Sequence, residues 1–461
     1  MIQTVENIGE KLVSMLTYDA SQPLIFSSGL FLFLFAGFLF FYGFTRRAPM
    51  ARIVYVILFS LYFYYKSSGI YFLLLVFASV SDYWIAHAIY KVRTQRAKYW
   101  LVGLSVLVNL GMLGYFKYTN FLIEIANNLF GQGFLNFQNI FLPVGISFFV
   151  FQSMSYTIDI CRGQLKPLNN WADYLFYLSF FPQLVAGPIV RAKDFIPQIR
   201  QNPLRVTREM FGMGVFLILI GLFKKAVISD YISLNFVDRI FDEPLLYSGF
   251  ECLMGIYGYA LQIYCDFSGY SDMAIGIALL LGFRFPKNFD APYKSATITE
   301  FWRRWHISLS SWFRDYVYIP LGGSREGKAR TYLNLLAVWV LTGLWHGSTL
   351  NFLLWGLFLF VLIALERAGW DRVLDKSRVL SRVYMVLMIP LSWLLFAIPS
   401  VGRIGVYLGR LFPIVSRGVA VNAGDWLQYG KQYWWLLVLG IVFSTPGPEK
   451  LWNRIRSSWL G

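Results

Sequence analysis

The chain has 461 residues, of which 57% are hydrophobic and only 14% are charged. Soluble domains carry about 25% charged residues, so this composition excludes an ordinary soluble protein and predicts an integral membrane protein. Lysine and arginine outnumber aspartate and glutamate by 41 to 25, but positive charge collects in the cytoplasmic loops of membrane proteins. We therefore attribute the excess to membrane topology and predict no nucleic-acid partner.

The first 20 residues predict a retained amphipathic helix at the membrane interface. Charged residues are spread through this segment, namely Glu6, Glu10, Lys11 and Asp19. It lacks the charged start, the apolar middle and the small-residue cleavage site of a removable signal peptide.

Apolar stretches then recur along the whole chain. They cover residues 25–42, 53–65, 70–80, 100–116, 141–151, 213–223, 335–344, 352–365, 384–398 and 433–443. A spanning helix needs about 20 mostly apolar residues, so several of these stretches must recruit polar flanks, tilt or re-enter. We predict an all-α, multi-pass integral membrane protein with roughly ten to twelve membrane helices, some of them broken or re-entrant. We treat residues 1–461 as one integral domain.

Two basic segments predict the orientation in the membrane. Arg46, Arg47 and Arg52 follow the first apolar stretch, and the segment from Lys91 to Lys98 follows the third. Both segments should face the cytoplasm, which places the N-terminus on the extracytoplasmic side.

The middle of the chain, from about residue 139 to residue 350, differs from its ends. Its apolar stretches are interrupted by "FLPVGIS", "FFPQLVAGPIVR" and "CDFSGYSD". Irregular backbone persists at membrane depth only where it is buried in protein or lines a watery cavity. We therefore predict that the middle holds the functional site, and that residues 183–191 form a re-entrant turn.

Two carboxylates, Asp266 and Asp272, lie on either side of Ser268 and Tyr270 in one of these interruptions. Carboxylates inside a membrane need partners, and the expected partners are the cationic residues Arg303, Arg304 and Arg314. Bracing of broken helices is the favoured interpretation, and a role in the site is the alternative.

The stretch "FWRRWHISLSSWFRDYVYIPLGG", residues 301–323, predicts one amphipathic helix. Its apolar stripe consists of Trp302, Trp305, Leu309, Trp312 and Tyr316, at helical spacing. His306 falls between that stripe and a polar edge. Thr297 and Glu300 should cap the start of the helix, and Pro320 should help to end it. An interfacial anchor is the alternative interpretation of this stretch.

His346 stands in "WHGSTLN", between two apolar stretches and flanked by Gly343 and Gly347. An ionisable side chain at membrane depth is a functional candidate by default, and a histidine that only stabilises the bundle is the alternative. Neutral imidazole can take a proton from a hydroxyl, which suits acyl transfer. The spacing of the histidines predicts no metal site. The third histidine, His87, is interpreted as structural or interfacial.

The successive motifs "DFSGYSDMAIG", "NFDAPYKSATITEFWRRWHISLSSWFRDYVYIPLGG" and "LTGLWHGSTLNFLLWG" together resemble the membrane-bound O-acyltransferase family. The resemblance is to its bacterial branch, which contains the alginate O-acetyltransferase membrane component and the teichoic acid D-alanyltransferase. It is strong over residues 140–367, which we therefore expect to form the catalytic core. Residues 368–461 are expected to add C-terminal helices.

This resemblance implies membrane helices around a central tunnel in the cytoplasmic membrane, with no bound cofactor. His346 matches the principal catalytic histidine of the family, and His306 matches the histidine of the "RRWH" motif. One would act as general base, and the other, with Trp305 or Asn351 nearby, would position a reactant or stabilise the oxyanion. Further substrate or tunnel candidates are Arg303, Arg304, Trp345, Asp266, Ser268, Tyr270 and Asp272.

The expected reaction transfers an acyl group, with acetyl favoured, from a cytoplasmic thioester such as acetyl-CoA or an acyl carrier protein. The acceptor would be an extracytoplasmic hydroxyl of an envelope polysaccharide or exopolysaccharide, as in alginate O-acetylation, with an extracytoplasmic acyltransferase partner completing the transfer. D-alanyl transfer to teichoic acid is the alternative within the family. A proton-coupled transporter is the alternative from another class, because broken helices and buried ionisable groups also suit carriers.

Overall fold

The computed structural model describes residues 10–11, 13–45, 47–201, 204–412 and 424–459. All regular secondary structure in these ranges is helical, which confirms the all-α prediction. The longer helices are Gly29–Tyr42, Pro49–Ser68, Phe72–Lys91, Gln95–Phe130, Ile146–Cys161, Arg208–Leu222, Gly249–Leu280, Lys328–His346, Leu350–Leu365, Arg378–Ala397, Val401–Leu411, Asp425–Phe443 and Gly447–Trp459. Shorter α-helices are Trp171–Ser179, Phe181–Leu184, Ala192–Ile199, Asp230–Ile232, Asp238–Asp242, Ile298–Arg304, Ile307–Phe313 and Asp371–Lys376.

Five helical stretches within the described ranges are long and apolar enough to cross a membrane. They are Pro49–Lys91, Gln95–Phe130, Arg208–Asp242, Leu350–Lys376 and Arg378–Ala397. The first consists of two 20-residue helices joined at Gly69, whose φ of 61° is a backbone conformation that glycine adopts without strain. The protein is therefore a multi-pass membrane protein, while ten to twelve membrane helices stay a prediction.

The N-terminal predictions are only partly covered by the described residues. Residues 10–11 and 13–16 are helical and exposed, but residues 17–20 are not helical, so the helix ends earlier than predicted. Arg46 lies outside the described residues. Arg52 is not a loop residue, because it is fully buried in the Pro49–Ser68 helix and its Nη2 donates to the carbonyls of Ile199 (2.9 Å) and Gln201 (2.8 Å). The predicted orientation therefore relies on Arg47 and the 91–98 segment.

The chain forms two compact units, and the first comprises residues 1–218 and 273–286. Its core contains packed phenylalanine rings, with the Phe181 ring 5.0 Å from Phe59 and 5.7 Å from Phe38. Residues 185–190, within the predicted re-entrant turn, leave helical geometry after the Phe181–Leu184 helix and are largely buried. Gly187 has a φ of 148° there, and a Cβ would lie 3.3 Å from the Ala274 side chain.

The second unit comprises residues 219–272 and 287–461 and contains both candidate histidines. Its core is rich in indole rings, namely those of Trp302, Trp305, Trp339, Trp355 and Trp393. Two helices, Lys328–His346 and Leu350–Leu365, form a tight hairpin within it. A Cβ on Gly343 would lie 2.5 Å from the Phe352 carbonyl oxygen, and one on Gly356 would lie 2.4 Å from that of Trp339. Glycine at these positions lets the two backbones touch.

Candidate active site

The helix predicted for residues 301–323 is broken at His306. It consists of Ile298–Arg304 and Ile307–Phe313, and His306 between them has a left-handed φ of 43°. Residues 288–290 pair with the backbone groups at the break. Asp290 N–H donates to the Arg304 carbonyl, and Ile307 N–H donates to the Asn288 carbonyl, both at 2.9 Å. The prediction of one continuous helix is therefore wrong, because tertiary hydrogen bonds replace the intrahelical ones.

Two local features of that prediction are confirmed. The Thr297 hydroxyl caps the first half by accepting from Glu300 N–H at 3.1 Å. The apolar stripe is buried throughout: Trp302, Trp305, Leu309, Trp312 and Tyr316. The break therefore redirects His306 without exposing the stripe.

His306 is held by the side chain of Asn288. Asn288 Oδ1 lies 3.1 Å from His306 Nδ1, and it accepts from the Ser308 hydroxyl (2.9 Å) and the Ser308 N–H (3.3 Å). Asn288 Nδ2 donates to the hydroxyl oxygen of Ser271 at 3.0 Å. The backbone N–H of Ser308 identifies the atom facing His306 as an oxygen, which can only accept, so Nδ1 must carry a proton.

The charge state of His306 follows from its burial. The side chain is 1% exposed, and burial lowers the pKa of His306 to about 3, because a low-dielectric surrounding disfavours imidazolium. The imidazole is therefore neutral at physiological pH. With its proton on Nδ1, the Nε2 atom carries a lone pair and acts as a hydrogen-bond acceptor.

His346 is the last residue of the Lys328–His346 helix and is surrounded by aromatic rings. Its ring centroid lies 4.8 Å from that of Trp345, 5.0 Å from Trp355 and 5.2 Å from Phe396, each at a steep interplanar angle of 79–86°. Unlike His306, His346 is only partly buried. The imidazole therefore has apolar walls and is partly exposed, although its Nε2 atom is buried.

The structure brings the two histidine segments together at Trp345. The Trp345 ring lies 4.8 Å from the His346 ring and 5.9 Å from the His306 ring, measured between centroids. A second ring, Phe267, meets His306 edge-on at 4.6 Å. The two histidines are 40 residues apart in the chain, so their contact with one indole supports a single site.

Trp355 is a member of this site that the sequence did not single out. It is fully buried, and its indole N–H has no hydrogen-bond acceptor among the residues that the structure describes. Buried N–H groups are normally paired. Trp302 and Trp393 in the same cluster share this feature. The Trp355 ring, however, lies 5.0 Å from the His346 ring, which makes its indole N–H the candidate to bind an oxygen atom of a reactant.

Two predicted members of the site have structural contacts: Trp305 packs against other rings, and Asn351 hydrogen-bonds to the backbone. The Trp305 ring lies 4.8 Å from Trp393 and 5.1 Å from Phe289. Asn351 Nδ2 donates to the carbonyls of Leu395 and Phe396, both at 3.1 Å, and its Oδ1 accepts from the Thr349 hydroxyl. Asn351 thus fixes the backbone that carries Phe396, a wall of the His346 pocket.

The carboxylates Asp266 and Asp272 pair with lysines, not with the predicted arginines. Lys224 Nζ lies 2.7 Å from Asp272 Oδ2, and Lys225 Nζ lies 2.5 Å from Asp266 Oδ1. Lys224 also donates to the Ser268 hydroxyl at 3.4 Å. Both lysines belong to Phe223–Ser229, a π-helical segment. The ion pairs support the bracing interpretation, because they join two helical segments within the unit.

The arginines are engaged elsewhere or exposed. Arg303 is exposed. Arg304 lies 2.9 Å from Glu300 and 3.5 Å from Asp290, and Arg314 lies 2.7 Å from Asp315. The expected pairing of Asp266 and Asp272 with arginines is therefore wrong.

Tyr270, another predicted candidate, is buried. No cluster of three or more histidine, cysteine, aspartate or glutamate side chains in the described ranges is arranged to hold a metal ion.

Comparison with known sequences identifies the protein family. Residues 164–401, which include both histidines, Asn288 and Trp355, match the model of the membrane-bound O-acyltransferase family. The chain belongs to this family. It is similar to the probable alginate O-acetylase AlgI of Azotobacter vinelandii, with 41% identity over 81% of this chain and 75% of that protein.

Two further relatives extend the comparison. The peptidoglycan O-acetyltransferase of Helicobacter pylori is 36% identical over 75% of this chain and 71% of its own length. The teichoic acid D-alanyltransferase of Bacillus subtilis is 29% identical over 49% of this chain and 59% of its own length. The protein is therefore a membrane-bound O-acyltransferase. This result favours the enzyme over the alternative of a proton-coupled transporter.

Proposed function

We propose that this O-acyltransferase moves an acetyl group from a thioester donor on the cytoplasmic side to a hydroxyl of an extracytoplasmic polysaccharide. The names of the relatives that cover most of the chain, an alginate O-acetylase and a peptidoglycan O-acetyltransferase, support acetyl as the group and a glycan as the acceptor. D-alanyl transfer is the second candidate, and the relative that supports it matches only about half of the chain.

His346 is the general base in this proposal. The observation that carries the assignment is its partial exposure between aromatic walls, whereas His306 is sealed and bonded through Nδ1. His346 would take the proton of the acceptor hydroxyl as that oxygen attacks the thioester carbonyl. Because His346 ends a helix, the negative end of the helix dipole stabilises the imidazolium that forms.

His306 is a positioning residue in this proposal. A neutral imidazole with its proton on Nδ1 offers only an acceptor at Nε2. Because the side chain is 1% exposed, His306 acts on the reactants through the Trp345 ring, 5.9 Å away between centroids. It cannot donate to an oxyanion from Nε2 in that tautomer. The indole N–H of Trp355, buried next to His346, is the better candidate to stabilise the oxyanion of the tetrahedral intermediate.

The surroundings of His346 favour a small acyl group. Trp345, Trp355 and Phe396 each place a ring within 5.2 Å of the imidazole centroid, and protein interiors leave few voids between such rings. A two-carbon acyl group needs the least displacement of these walls.

A basic cavity supports a phosphate-bearing donor on the cytoplasmic side. It has a volume of about 630 Å3, and three cationic residues, Lys328, Arg367 and Arg372, line it with hydroxyls and one carboxylate, that of Asp371. Clustered positive charge is typical of cytoplasmic loops, and both acetyl-CoA and an acyl carrier protein with its prosthetic group carry phosphate. The acceptor side would be served by a separate extracytoplasmic acyltransferase, with this protein in the inner membrane.

Reconstitution would test the proposal. The purified protein is placed in liposomes and supplied with labelled acetyl-CoA, labelled acetyl carrier protein or labelled D-alanyl carrier protein, with alginate oligosaccharide and the extracytoplasmic partner on the opposite side. We expect label to move from an acetyl thioester to the partner or glycan. Transfer from the D-alanyl carrier alone would contradict the proposed acyl group.

A further inference from the structure

A cavity of about 450 Å3 in the second unit lies apart from the two histidines. Three helices border it: Gly249–Leu280, Arg378–Ala397 and Asp425–Phe443. Its wall is almost entirely apolar, and neither His306, His346, Trp345 nor Trp355 contributes to it. The acyl-transfer proposal therefore leaves this cavity without a role.

The two cationic side chains of this cavity lie at one end. Arg382 Nη1 donates to the carbonyls of Lys294 (2.6 Å) and Ser295 (3.1 Å), so the Lys294 and Arg382 side chains start from the same corner. Beyond Arg382, the same helix presents Met385, Ile389 and Pro390 to the cavity. From Arg382 to Pro390 the helix rises by about 12 Å. The cavity is thus cationic at one end and apolar along its length.

Both cationic side chains are exposed and available to an anion. No carboxylate of the described residues forms a salt bridge with Lys294 or Arg382. The charge at this end of the cavity is therefore not neutralised by a side chain that the structure describes.

The deep wall of the cavity is built around a helix irregularity. Pro390 lacks an N–H, which leaves the Val386 carbonyl without its helical partner. The hydroxyl of Tyr257, on a different helix and also lining the cavity, donates to that carbonyl at 3.1 Å. A cross-helix hydrogen bond thus fixes the wall.

The end of the cavity with Lys294 and Arg382 lies near a basic segment of the chain. Basic residues are concentrated after the Leu350–Leu365 helix and at the start of the Arg378–Ala397 helix: Arg367, Arg372, Lys376 and Arg378. Such concentration indicates the cytoplasmic side, where the leaflet is rich in anionic lipids and basic pockets between membrane helices bind their headgroups.

We propose that this cavity binds one anionic phospholipid of the cytoplasmic leaflet. Its phosphate contacts Lys294 and Arg382, and one acyl chain lies along Met385, Ile389 and Leu437. The paired cations select an anionic headgroup, and the apolar length beyond them requires a lipid chain, which a free phosphate lacks.

Native mass spectrometry of the full protein, with phosphatidylglycerol or phosphatidylcholine of identical acyl chains added, tests the proposal. We expect retained phosphatidylglycerol at one lipid per protein, bound at least tenfold more tightly than phosphatidylcholine. Equal retention of the two lipids would overturn the proposal, and so would competition by inorganic phosphate as effective as that by phosphatidylglycerol.

Two kinds of variant distinguish the headgroup contact from the chain contact. Lys294→Gln with Arg382→Gln should weaken phosphatidylglycerol binding about thirtyfold, since each basic residue near an anionic surface contributes about a fivefold change. The control is Arg378→Gln, an exposed arginine on the same helix that does not line the cavity. Loss of binding in this control equal to that in the double variant would overturn the site.

The chain contact is tested without changing charge. Val386 lines the cavity and is 52% exposed, so Val386→Trp should fill the cavity while the helix still folds. Val383 is 49% exposed on the same helix but does not line the cavity, and Val383→Trp should bind lipid normally. Unchanged phosphatidylglycerol binding in Val386→Trp would overturn the proposal even if the double variant failed to fold.

Discussion

The two histidines of the second unit, His306 and His346, are held by different kinds of contact. The 288–308 region fixes His306 with amide and hydroxyl groups in a fully buried network. The hairpin around residues 345–356 surrounds His346 with ring edges and leaves it partly accessible. A polar network defines a tautomer and a direction, whereas apolar walls leave the imidazole able to exchange a proton with a reactant.

This difference indicates a division of labour between positioning and proton transfer. His306 has its charge state and orientation determined before any reactant binds. In the proposed mechanism His346 changes its charge during the reaction, so it needs access to a reactant and stabilisation of the imidazolium by the end of its helix. The variants below remove one of these features at a time.

The largest effect is expected from His346→Gln. Loss of a general base costs about 10²- to 10⁴-fold in rate, so acetyl transfer by the reconstituted variant should fall to near background. His87→Gln is the matched control, because His87 is a partly buried histidine whose Nδ1 lies 2.9 Å from the Tyr83 carbonyl oxygen in the first unit. Wild-type transfer by His346→Gln would contradict the assignment.

Trp355→Phe should have the next largest effect. The substitution keeps an aromatic ring beside His346 but removes the indole N–H, and loss of one oxyanion donor costs about 10²-fold or more in kcat. Trp339→Phe serves as the control, since Trp339 is buried in the same cluster, 6.2 Å from Trp355. Similar kcat values for both variants would assign Trp355 to packing alone.

Asn288→Leu should reduce transfer about tenfold, because one neutral hydrogen bond contributes about 0.5–1.5 kcal/mol and its loss releases His306. The effect should appear mainly in KM if His306 only positions a reactant. Asn334→Leu provides a comparison, as Asn334 is also buried and donates to a backbone carbonyl, that of Gly323, at 2.9 Å. Unchanged kinetics in Asn288→Leu would remove His306 from the site.

Asn288→Asp should change the pH dependence in a defined direction. In the native protein burial lowers the pKa of His306 to about 3, so His306 stays neutral as the pH falls through 7 to 5. A carboxylate next to Nδ1 favours imidazolium and raises that pKa, which should move the acid-side loss of activity to higher pH. A pH–rate profile identical to that of the native enzyme would contradict a requirement for neutral His306 in the reaction.

The smallest effect is expected from Glu366→Gln, which weakens the hydrogen bonds between the Glu366–Trp370 segment and the Ile298–Arg304 helix. The Glu366 carboxylate accepts from the N–H groups of Ile298 (2.6 Å) and Thr299 (2.9 Å) at the start of the Ile298–Arg304 helix. Hydrogen bonds to a charged group contribute about 1.5–3 kcal/mol, so the unfolding temperature in detergent should fall by a few degrees. The exposed Glu326→Gln should leave unfolding unchanged, and equal unfolding temperatures for both variants would exclude this capping role.

Apolar stretches in the sequence predicted where most of the long helices lie, because apolar residues of a membrane protein avoid water by facing either the protein interior or the lipid. The segments of both histidines were also found, because ionisable side chains stand out among apolar residues. The break at His306 was not, since it depends on hydrogen bonds from residues 288–290, which no local pattern reveals. Asn288 and Trp355 were missed for the same reason: one stands in an irregular loop, and the other resembles the remaining core tryptophans.

Charge partners were the least predictable feature. Asp266 and Asp272 were expected to pair with arginines, but Lys224 and Lys225 take that place. A π-helical segment shifts the direction of successive side chains relative to an α-helix, so helical spacing alone did not place these lysines. Arg52 was likewise expected in a loop, although backbone carbonyls inside the first unit bind its guanidinium.

Chemical modification of the histidines tests the central claim most directly. The reconstituted protein is treated with diethylpyrocarbonate, with and without an unreactive thioester analogue, and the modified residues are read by peptide mass spectrometry. We predict that His346 is modified and that the analogue protects it, while His306 stays unmodified. Modification of His306 with His346 spared would contradict the assignment of His346 as the accessible base.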